Sequence, residues 1–296
     1  MRILFIIFGL LLTPYAISSP IVEAAWVSKN LCKDDIKLIE VGSSYNSYLV
    51  EHIKCSQYTN FYKDGWRVNV DGIAMQMPKL ENLVNILNKM GINKNDHVIL
   101  YPKKVSDYYA MAETTAIYFS FKILGHEKIS ILDGGYPHFK KKFDIFIEEG
   151  EFKLDSVNDY KININKSILA TIDDVLKSQY NNYQLIDSRE KDFFLGFNKL
   201  KRFEKFGTIK GALNIPSKWF LKERGLIFND IKIVKEIYNH SKINIDQNII
   251  FFCYSGLESS INWFVSYELM KNKNARLYEG SIFDWVAKGK FLYKKL

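Results

Sequence analysis

The chain has 296 residues, enough for about two domains of roughly 100 to 150 residues each. Hydrophobic residues make up 47% and aromatic residues 15% of the sequence, which excludes an intrinsically disordered or collagen-like chain. The net charge of +8 comes from basic residues spread along the chain, without a nucleic-acid recognition motif. We therefore expect attraction for small anions and no nucleic-acid partner.

The first residues have the pattern of a secretory signal peptide. Arg2 precedes an apolar run over residues 3–12, and the small residues Ser18 and Ser19 follow. The run is too short to span a bilayer, which takes about 20 residues. We predict that residues 1–19 are removed, with a second candidate cleavage site after Ala24. The mature protein is then exported to a bacterial periplasm or another oxidising compartment, without stable membrane association. The alternative is an uncleaved amino-terminal anchor.

The three cysteines are too few for a disulfide scaffold and lack the paired spacing of a zinc site. In an oxidising compartment, an odd number of cysteines leaves at least one thiol unpaired within the chain. Cys32 and Cys55 could pair with each other and leave Cys253 free, provided that the fold brings their sulfur atoms within bonding distance.

Short apolar segments recur in the same order about 147 residues apart, which indicates an internal duplication. The first pair carries a carboxylate near its end, at Glu40 and at Asp187. The matched segments are 37–41 (KLIEV) with 184–188 (QLIDS), 52–54 (HIK) with 208–210 (TIK), 97–101 (HVILY) with 248–252 (NIIFF), and 131–135 (ILDGG) with 277–281 (LYEGS).

These segments predict two α/β domains. Continuously apolar segments such as NIIFF are typical of strands buried on both faces of a parallel sheet. They lead into long amphipathic patterns at residues 108–124 and 259–270, and strands alternating with such helices form parallel sheets flanked by helices. We place the domains at residues 20–149 and 167–296, with a polar linker over residues 150–166. Thr171 and Asp174 are expected to form a capping box for the helix beginning at Ile172.

Cys253 is the candidate nucleophile, because it follows directly after the strand NIIFF and precedes a short glycine-containing loop. Ligands bind beyond the carboxyl ends of the strands in such sheets. Loop N–H groups and the positive end of the helix that starts near Ser260 favour a thiolate. We therefore expect a pKa below the value of about 8.5 of a free cysteine. The alternative is a buried structural cysteine. In the first half, Pro102 occupies the equivalent position.

Four motifs of the second half resemble those of the rhodanese-type sulfurtransferases. They are LIDSR (185–189), GTIKGALNIP (207–216), FFCYSGLES (251–259) and LYEGSIFDW (277–285). The first half, with LIEV, HIK, HVILYP and GHEKISILDGGYPHF, is similar to the non-catalytic partner domain of tandem members. The resemblance covers nearly everything from Trp26 onward, is strongest to exported bacterial proteins, and implies two tandem rhodanese-like domains.

This resemblance implies a two-step transfer of sulfane sulfur. Cys253 attacks a small anionic donor, thiosulfate or 3-mercaptopyruvate, and forms a persulfide from which a thiol or cyanide acceptor collects the sulfur. No metal or organic cofactor is required. A phosphatase is disfavoured, because Ser259 stands where related phosphatases carry an arginine. The remaining alternative is a non-catalytic tandem rhodanese module that acts as a sulfur carrier or binds a partner.

The resemblance assigns donor binding to the loop that follows Cys253. Ser255 is implied to polarise or protonate the donor, with helix capping as the alternative role. The other loop residues implied to contact the donor are Tyr254, Gly256, Leu257, Glu258 and Ser259. Loops that favour thiosulfate commonly carry a basic residue, which this loop lacks.

Two further residues are implied to bind the donor from outside the loop. Arg189 stands where a carboxylate-binding arginine is expected, whereas the second such arginine falls at Phe193. Lys201 and Arg202 are the candidates to replace this second arginine, with a surface role as the alternative for each. His52 occupies the position of a histidine that faces the cysteine across the domain interface, with a structural histidine as the alternative. Asp187 and Glu40 are expected to bind backbone amides at the strand ends.

Overall fold

The computed structural model describes residues 18–104, 108–153, 158–178, 182–201, 203, 205–222 and 225–295. Residues 1–17 of the predicted signal peptide and Arg202 lie outside these ranges. Within them, no helix is long and apolar enough to cross a membrane.

The N-terminal half forms a parallel sheet flanked by helices. Its elements are β1 (Ile21–Val22), α1 (Ala24–Asn30), β2 (Ile36–Val41), α2 (Tyr45–Val50), β3 (His52–Ile53), β4 (Ser56–Thr59), β5 (Val68–Val70), β6 (Ile73–Gln76), α3 (Leu80–Lys89), β7 (His97–Pro102), α4 (Tyr108–Ile123), β8 (Ile129–Leu132), α5 (Gly135–Phe143) and β9 (Ile147–Glu148). The sheet has the order β1-β8-β7-β2-β4, and every pair in it is parallel.

The C-terminal half repeats this arrangement. Its elements are α6 (Ile172–Lys177), β10 (Tyr183–Asp187), α7 (Lys191–Leu195), β11 (Leu213–Asn214), β12 (Leu221–Lys222), β13 (Ile227–Phe228), α8 (Ile231–His240), β14 (Asn248–Phe252), α9 (Ser259–Phe264), β15 (Ala275–Leu277) and α10 (Ser281–Ala287). The parallel order β15-β14-β10-β11 matches β8-β7-β2-β4 of the first half. The predicted duplication and the α/β fold class are therefore confirmed at the level of sheet topology.

The domains pack against each other through α4 and α9, the helices that follow the equivalent central strands. The Thr115 and Ser260 hydroxyl groups lie 2.6 Å apart, and the Phe119 and Trp263 rings meet edge to face at 4.7 Å. Helix α4 is buried nearly all round, so the prediction of an amphipathic helix was wrong there. The helix exists, but its second face packs on the other domain instead of facing water.

Two local predictions also match the structure. The Thr171 hydroxyl accepts from the Asp174 N–H, and the Asp174 carboxylate accepts from the Thr171 N–H, as a capping box requires. Cys32 and Cys55 form a disulfide with their Cα atoms 5.3 Å apart, and Cys253 is free.

Candidate active site

Cys253 lies at the carboxyl end of the central strand β14, at the bottom of a tight loop that leads into α9. The residue is only 1% exposed. Gly256 makes the loop compact, because its φ of +76° lies in the left-handed region and a Cβ atom there would meet the Glu279 carbonyl oxygen at 2.6 Å. The chain thus passes closely over the turn that follows β15.

The hydroxyl of Ser281 binds this loop through hydrogen bonds. Its Oγ accepts hydrogen bonds from the N–H groups of Cys253 at 3.1 Å and Gly256 at 3.0 Å, and donates to the Tyr278 carbonyl at 2.7 Å. Ser281 is fully buried and adopts a φ of +51°. Sequence reasoning did not assign it a role. The duplication in the sequence could have indicated this residue. The segment LYEGS aligns with ILDGG of the first half, so Ser281 stands where the first half has Gly135, which also has a positive φ of +57°.

The electrostatic environment of the Cys253 sulfur has two opposing parts. Burial and the nearby Glu258 carboxylate raise the pKa of the sulfur, whereas the nearby Ser259 hydroxyl and the N–H groups of Ser255 and Ser259 lower it by a smaller amount. The pKa of Cys253 therefore lies above its ordinary value, and the expected lowering was wrong. The loop amides do face the sulfur as expected, but desolvation of a fully buried thiolate outweighs them.

Glu258 places a second ionisable group beside the thiol. Burial raises the pKa of its carboxyl to about 7. The Tyr108 hydroxyl, at the start of α4 in the N-terminal domain, donates to Glu258 Oε1 at 3.3 Å and also bonds to the Ser217 hydroxyl. The carboxyl group thus changes charge near neutral pH within a site built from both domains.

Arg189 is engaged by its own strand end. Its guanidinium donates to the Asp187 carboxylate, with Nη2 2.6 Å from Oδ2, and to the Gly207 carbonyl at 2.8 Å. Asp187 also accepts from the Arg189 N–H at 3.0 Å, the amide-binding role expected of it. Arg189 is 2% exposed and forms an intramolecular ion pair that supports the strand end; its contact with a donor stays a prediction.

The Tyr254 side chain belongs to an aromatic cluster at the rim of the loop. Its ring stacks with Phe203 at 5.5 Å, meets Phe193 edge to face at 5.6 Å, and lies 4.6 Å from the Arg189 guanidinium carbon. Phe193 thus occupies the place of the missing second arginine with a packing role. Leu257 is buried in the hydrophobic core.

His52 is a structural residue in its observed contacts. Its Nδ1 lies 3.0 Å from the Tyr48 carbonyl oxygen, its ring stacks on Tyr48, and its Nε2 lies 3.3 Å from the Glu148 carboxylate. Tyr48 and Glu148 both belong to the N-terminal domain. Glu148 lies next to His52 because β9 pairs with β3. These contacts agree with the alternative of a histidine bonded to nearby backbone, and a contact of His52 with the donor stays a prediction.

The equivalent position of the N-terminal domain has no nucleophile. Pro102 stands where Cys253 stands in the other domain, and Gly135 leaves room for it. Next to it, Lys103 lies 3.5 Å from the Glu40 carboxylate and 3.7 Å from the centre of the Tyr136 ring. Glu40 thus binds Lys103 and the Tyr101 hydroxyl, which lies 3.1 Å away, and not the backbone amides expected of it.

Lys201 is exposed, which matches its alternative surface role. Among the described residues, no group of three or more His, Cys, Asp or Glu side chains is arranged to hold a metal ion.

Comparison with known proteins supports the resemblance. The family model described as "Rhodanese-like domain" matches residues 23–142 and 172–288. A Mycobacterium bovis protein named "Putative thiosulfate sulfurtransferase 1" is 27% identical over 272 residues, 88% of this chain and 92% of its own. The thiosulfate sulfurtransferase of Rattus norvegicus is 26% identical over 215 residues, 71% of this chain and 70% of its own.

Solved structures share the fold. SseA from Escherichia coli, described as a 3-mercaptopyruvate sulfotransferase, has a TM-score of 0.76 at 21% identity and covers 89% of this chain and 99% of its own. EanB in complex with ergothioneine has a TM-score of 0.80 at 19% identity and covers 93% of this chain and 70% of its own. With both domains matched by the family model and arranged in the same topology, this chain belongs to the rhodanese family.

Proposed function

We propose that the chain is a sulfurtransferase that carries sulfane sulfur on Cys253 as a persulfide. The observation that supports the proposal is the position of the Cys253 sulfur at the end of β14, where the nearby N–H groups of Ser255 and Ser259 and the Ser259 hydroxyl favour its anionic form. Preorganised donors of this kind stabilise an anion that forms and disappears during a reaction. The names of the relatives, thiosulfate sulfurtransferase among them, agree with this chemistry.

The reaction consists of two displacements at sulfur. The Cys253 thiolate attacks the outer sulfur of the donor, a new S–S bond forms, and the bond from that sulfur to the rest of the donor breaks with its electron pair on the leaving group. An acceptor thiolate or cyanide then attacks the outer sulfur of the persulfide and releases the Cys253 thiolate. The proton of the resting thiol must leave before the first attack, and Glu258, with a pKa of about 7, is the nearby carboxylate able to receive it.

The donor is proposed to be thiosulfate or 3-mercaptopyruvate, which are both small anions. Because Arg189 is paired with Asp187 and the loop carries Glu258 instead of a basic residue, neither donor is favoured by the cysteine loop alone. Each donor must therefore be tested separately.

The test is the intact mass of the purified protein after incubation with each donor. We expect a gain of about 32 Da, one sulfur atom, with at least one donor, and the loss of this gain in Cys253→Ser. The matched control is the Cys32→Ser/Cys55→Ser variant, which should still gain the sulfur. If the mass increases with neither donor, the proposed sulfurtransferase activity is contradicted.

One observation favours a second candidate, the non-catalytic sulfur carrier or partner-binding module. The Cys253 thiol is fully buried and its pKa is raised, which lowers its reactivity as a nucleophile at neutral pH. Such a module would load no sulfur from small donors, or would load it without passing it to cyanide or a thiol. Measurement of product release after loading separates the two functions.

We also propose that the protein is exported and that residues 1–19 are its cleaved signal peptide. The pattern of Arg2 and residues 3–12 supports this, and so does the Cys32–Cys55 disulfide, since disulfides persist in oxidising compartments. Expression of the full chain should yield a mature protein with an N-terminus near residue 20 outside the cytoplasm. An intact Met1 in the cytoplasmic fraction contradicts export.

A further inference from the structure

A buried ion pair joins the two domains beside the cysteine loop. Arg67 belongs to the N-terminal domain, just before β5, and its side chain is 0% exposed. Its Nε lies 2.6 Å from Oε1 of Glu279, which follows β15 in the C-terminal domain. The other carboxylate oxygen of Glu279 accepts from the Met77 N–H at 3.1 Å, so Glu279 is held by the N-terminal domain through two groups.

Glu279 is part of the turn that supports the nucleophile. Gly256 packs directly on its carbonyl oxygen, and two residues later Ser281 accepts the N–H groups of Cys253 and Gly256. The guanidinium of Arg67 is therefore anchored to the same short segment that holds the cysteine loop, although Arg67 comes from the domain without a nucleophile.

The charged groups around Cys253 come from both domains. Glu258 opposes ionisation of the thiol. The thiolate in turn disfavours ionisation of Tyr108 and favours the charged form of Arg67. The loop over residues 254–259 contains no lysine or arginine. Arg67 Nη1 donates to the Trp66 carbonyl oxygen at 2.6 Å and to the Ser120 hydroxyl oxygen at 3.2 Å, so the N-terminal domain fixes the guanidinium beside Glu279.

We infer that Arg67 is a positioning residue that supplies, from the N-terminal domain, the positive charge that the cysteine loop lacks. This inference rests on the sulfurtransferase function proposed above. The positive charge of Arg67 stabilises the Cys253 thiolate before sulfur transfer and the anionic persulfide after it. Glu279 holds the guanidinium in place and partly cancels its charge. The N-terminal domain is thereby a component of the sulfur site.

The two residues of this ion pair are therefore expected to shift the pKa of Cys253 in opposite directions. Removal of the Arg67 charge leaves Glu279 and Glu258 to oppose the thiolate, so Arg67→Met should raise the pH at which Cys253 ionises. Removal of the Glu279 charge leaves Arg67 unopposed, so Glu279→Gln should lower that pH. A purely structural ion pair predicts a change in the same direction for both variants, because either loss loosens the same turn.

The experiment measures the rate of Cys253 alkylation by iodoacetamide against pH, followed by intact mass. We expect Arg67→Met to shift the midpoint upward by about one pH unit, which is about tenfold less thiolate below the midpoint, and Glu279→Gln to shift it downward. The matched control is Asp133→Asn. Asp133 is the equivalent of Glu279 in the first domain and accepts from the Phe228 N–H at 3.1 Å across the same interface, so this variant should leave the profile unchanged.

Shifts of the same sign in Arg67→Met and Glu279→Gln, or an equal shift in Asp133→Asn, overturn the inference. If Arg67→Met does not fold, the downward shift in Glu279→Gln decides alone, and its absence overturns the inference. Alkylation requires no sulfur donor. A wild-type protein that alkylates at Cys253 but gains no sulfur therefore contradicts the sulfurtransferase proposal without affecting this test.

Discussion

At the scale of single residues, the reactivity of Cys253 depends on charges that lie within a few side chains of it. Glu258 is the one that opposes the thiolate from inside the loop, and burial raises its own pKa to about 7. Below this pH the carboxyl is neutral and no longer repels the thiolate. Above it, the full negative charge remains next to the sulfur, and the cost of ionising both groups is largest.

Glu258→Gln removes this repulsion while keeping the side-chain shape. We expect the midpoint of Cys253 alkylation to fall. Because the folded pKa of Glu258 lies above the unfolded value of about 4.3, its ionisation destabilises the wild type progressively as pH rises from about 4.5 to 7 and by a constant amount above. The variant should therefore gain stability over the wild type across this window, measured by urea unfolding at pH 4.5 and 8.

The control for this variant is Glu236→Gln, which removes a carboxylate on the exposed face of α8. It should change neither the alkylation profile nor the pH dependence of stability. A Glu258→Gln protein with the wild-type alkylation midpoint would show that the Glu258 charge does not reach the sulfur.

At the scale of elements, the junction between β15 and α10 illustrates how the duplication was adapted. In the first domain Gly135 occupies the left-handed position, and a Cβ atom there would lie 2.6 Å from the Pro102 carbonyl oxygen. In the second domain Ser281 tolerates the same backbone conformation and uses its hydroxyl to bind two N–H groups of the cysteine loop. The same turn geometry thus lies beside Pro102 in the first domain and beside the nucleophile in the second.

Ser281→Ala and Ser281→Gly test this junction. Both leave the N–H groups of Cys253 and Gly256 without their acceptor, which costs about 1–3 kcal/mol for each buried group left unpaired. Glycine also relieves the strain of the positive φ, so Ser281→Gly should be more stable than Ser281→Ala by roughly 1–2 kcal/mol. Urea unfolding measures the stabilities. Wild-type stability in Ser281→Ala contradicts the assignment of the hydroxyl as the support of the loop.

At the scale of the whole molecule, the two domains form a pseudo-symmetric pair around α4 and α9. The turn after β15 receives the Met77 N–H from the first domain, and the turn after β8 receives the Phe228 N–H from the second. Each domain therefore contacts the strand ends of the other. The first domain, with Pro102 in place of the nucleophile, thus contributes a contact to the turn that supports the cysteine loop.

The disulfide provides a test at this scale. Denatured, unreduced protein should titrate one free thiol per chain, that of Cys253, and three after reduction. Since the bridge joins residues 23 positions apart, its reduction should lower the free energy of unfolding by roughly 3 kcal/mol, visible as a lower urea midpoint. Cys32→Ser/Cys55→Ser should match the reduced protein. Three thiols before reduction contradict the bridge.

The amino-acid sequence by itself determined the duplication, the central strands, the α/β class and the position of Cys253 at a strand end. These features follow from apolar runs and turn residues that are local in the chain and that recur in both halves. The family resemblance rested on the same local motifs, and the family model matches both domains.

Only the tertiary structure decided the ionisation and the charge pairing of the residues in the site. The raised pKa of Cys253, the pairing of Arg189 with Asp187, the contacts of His52 and the pairing of Arg67 with Glu279 depend on which groups are buried together. Burial and partner choice arise from residues far apart in sequence, and a loop motif contains no information about them. Arg67 and Glu279 meet only because the two domains pack face to face.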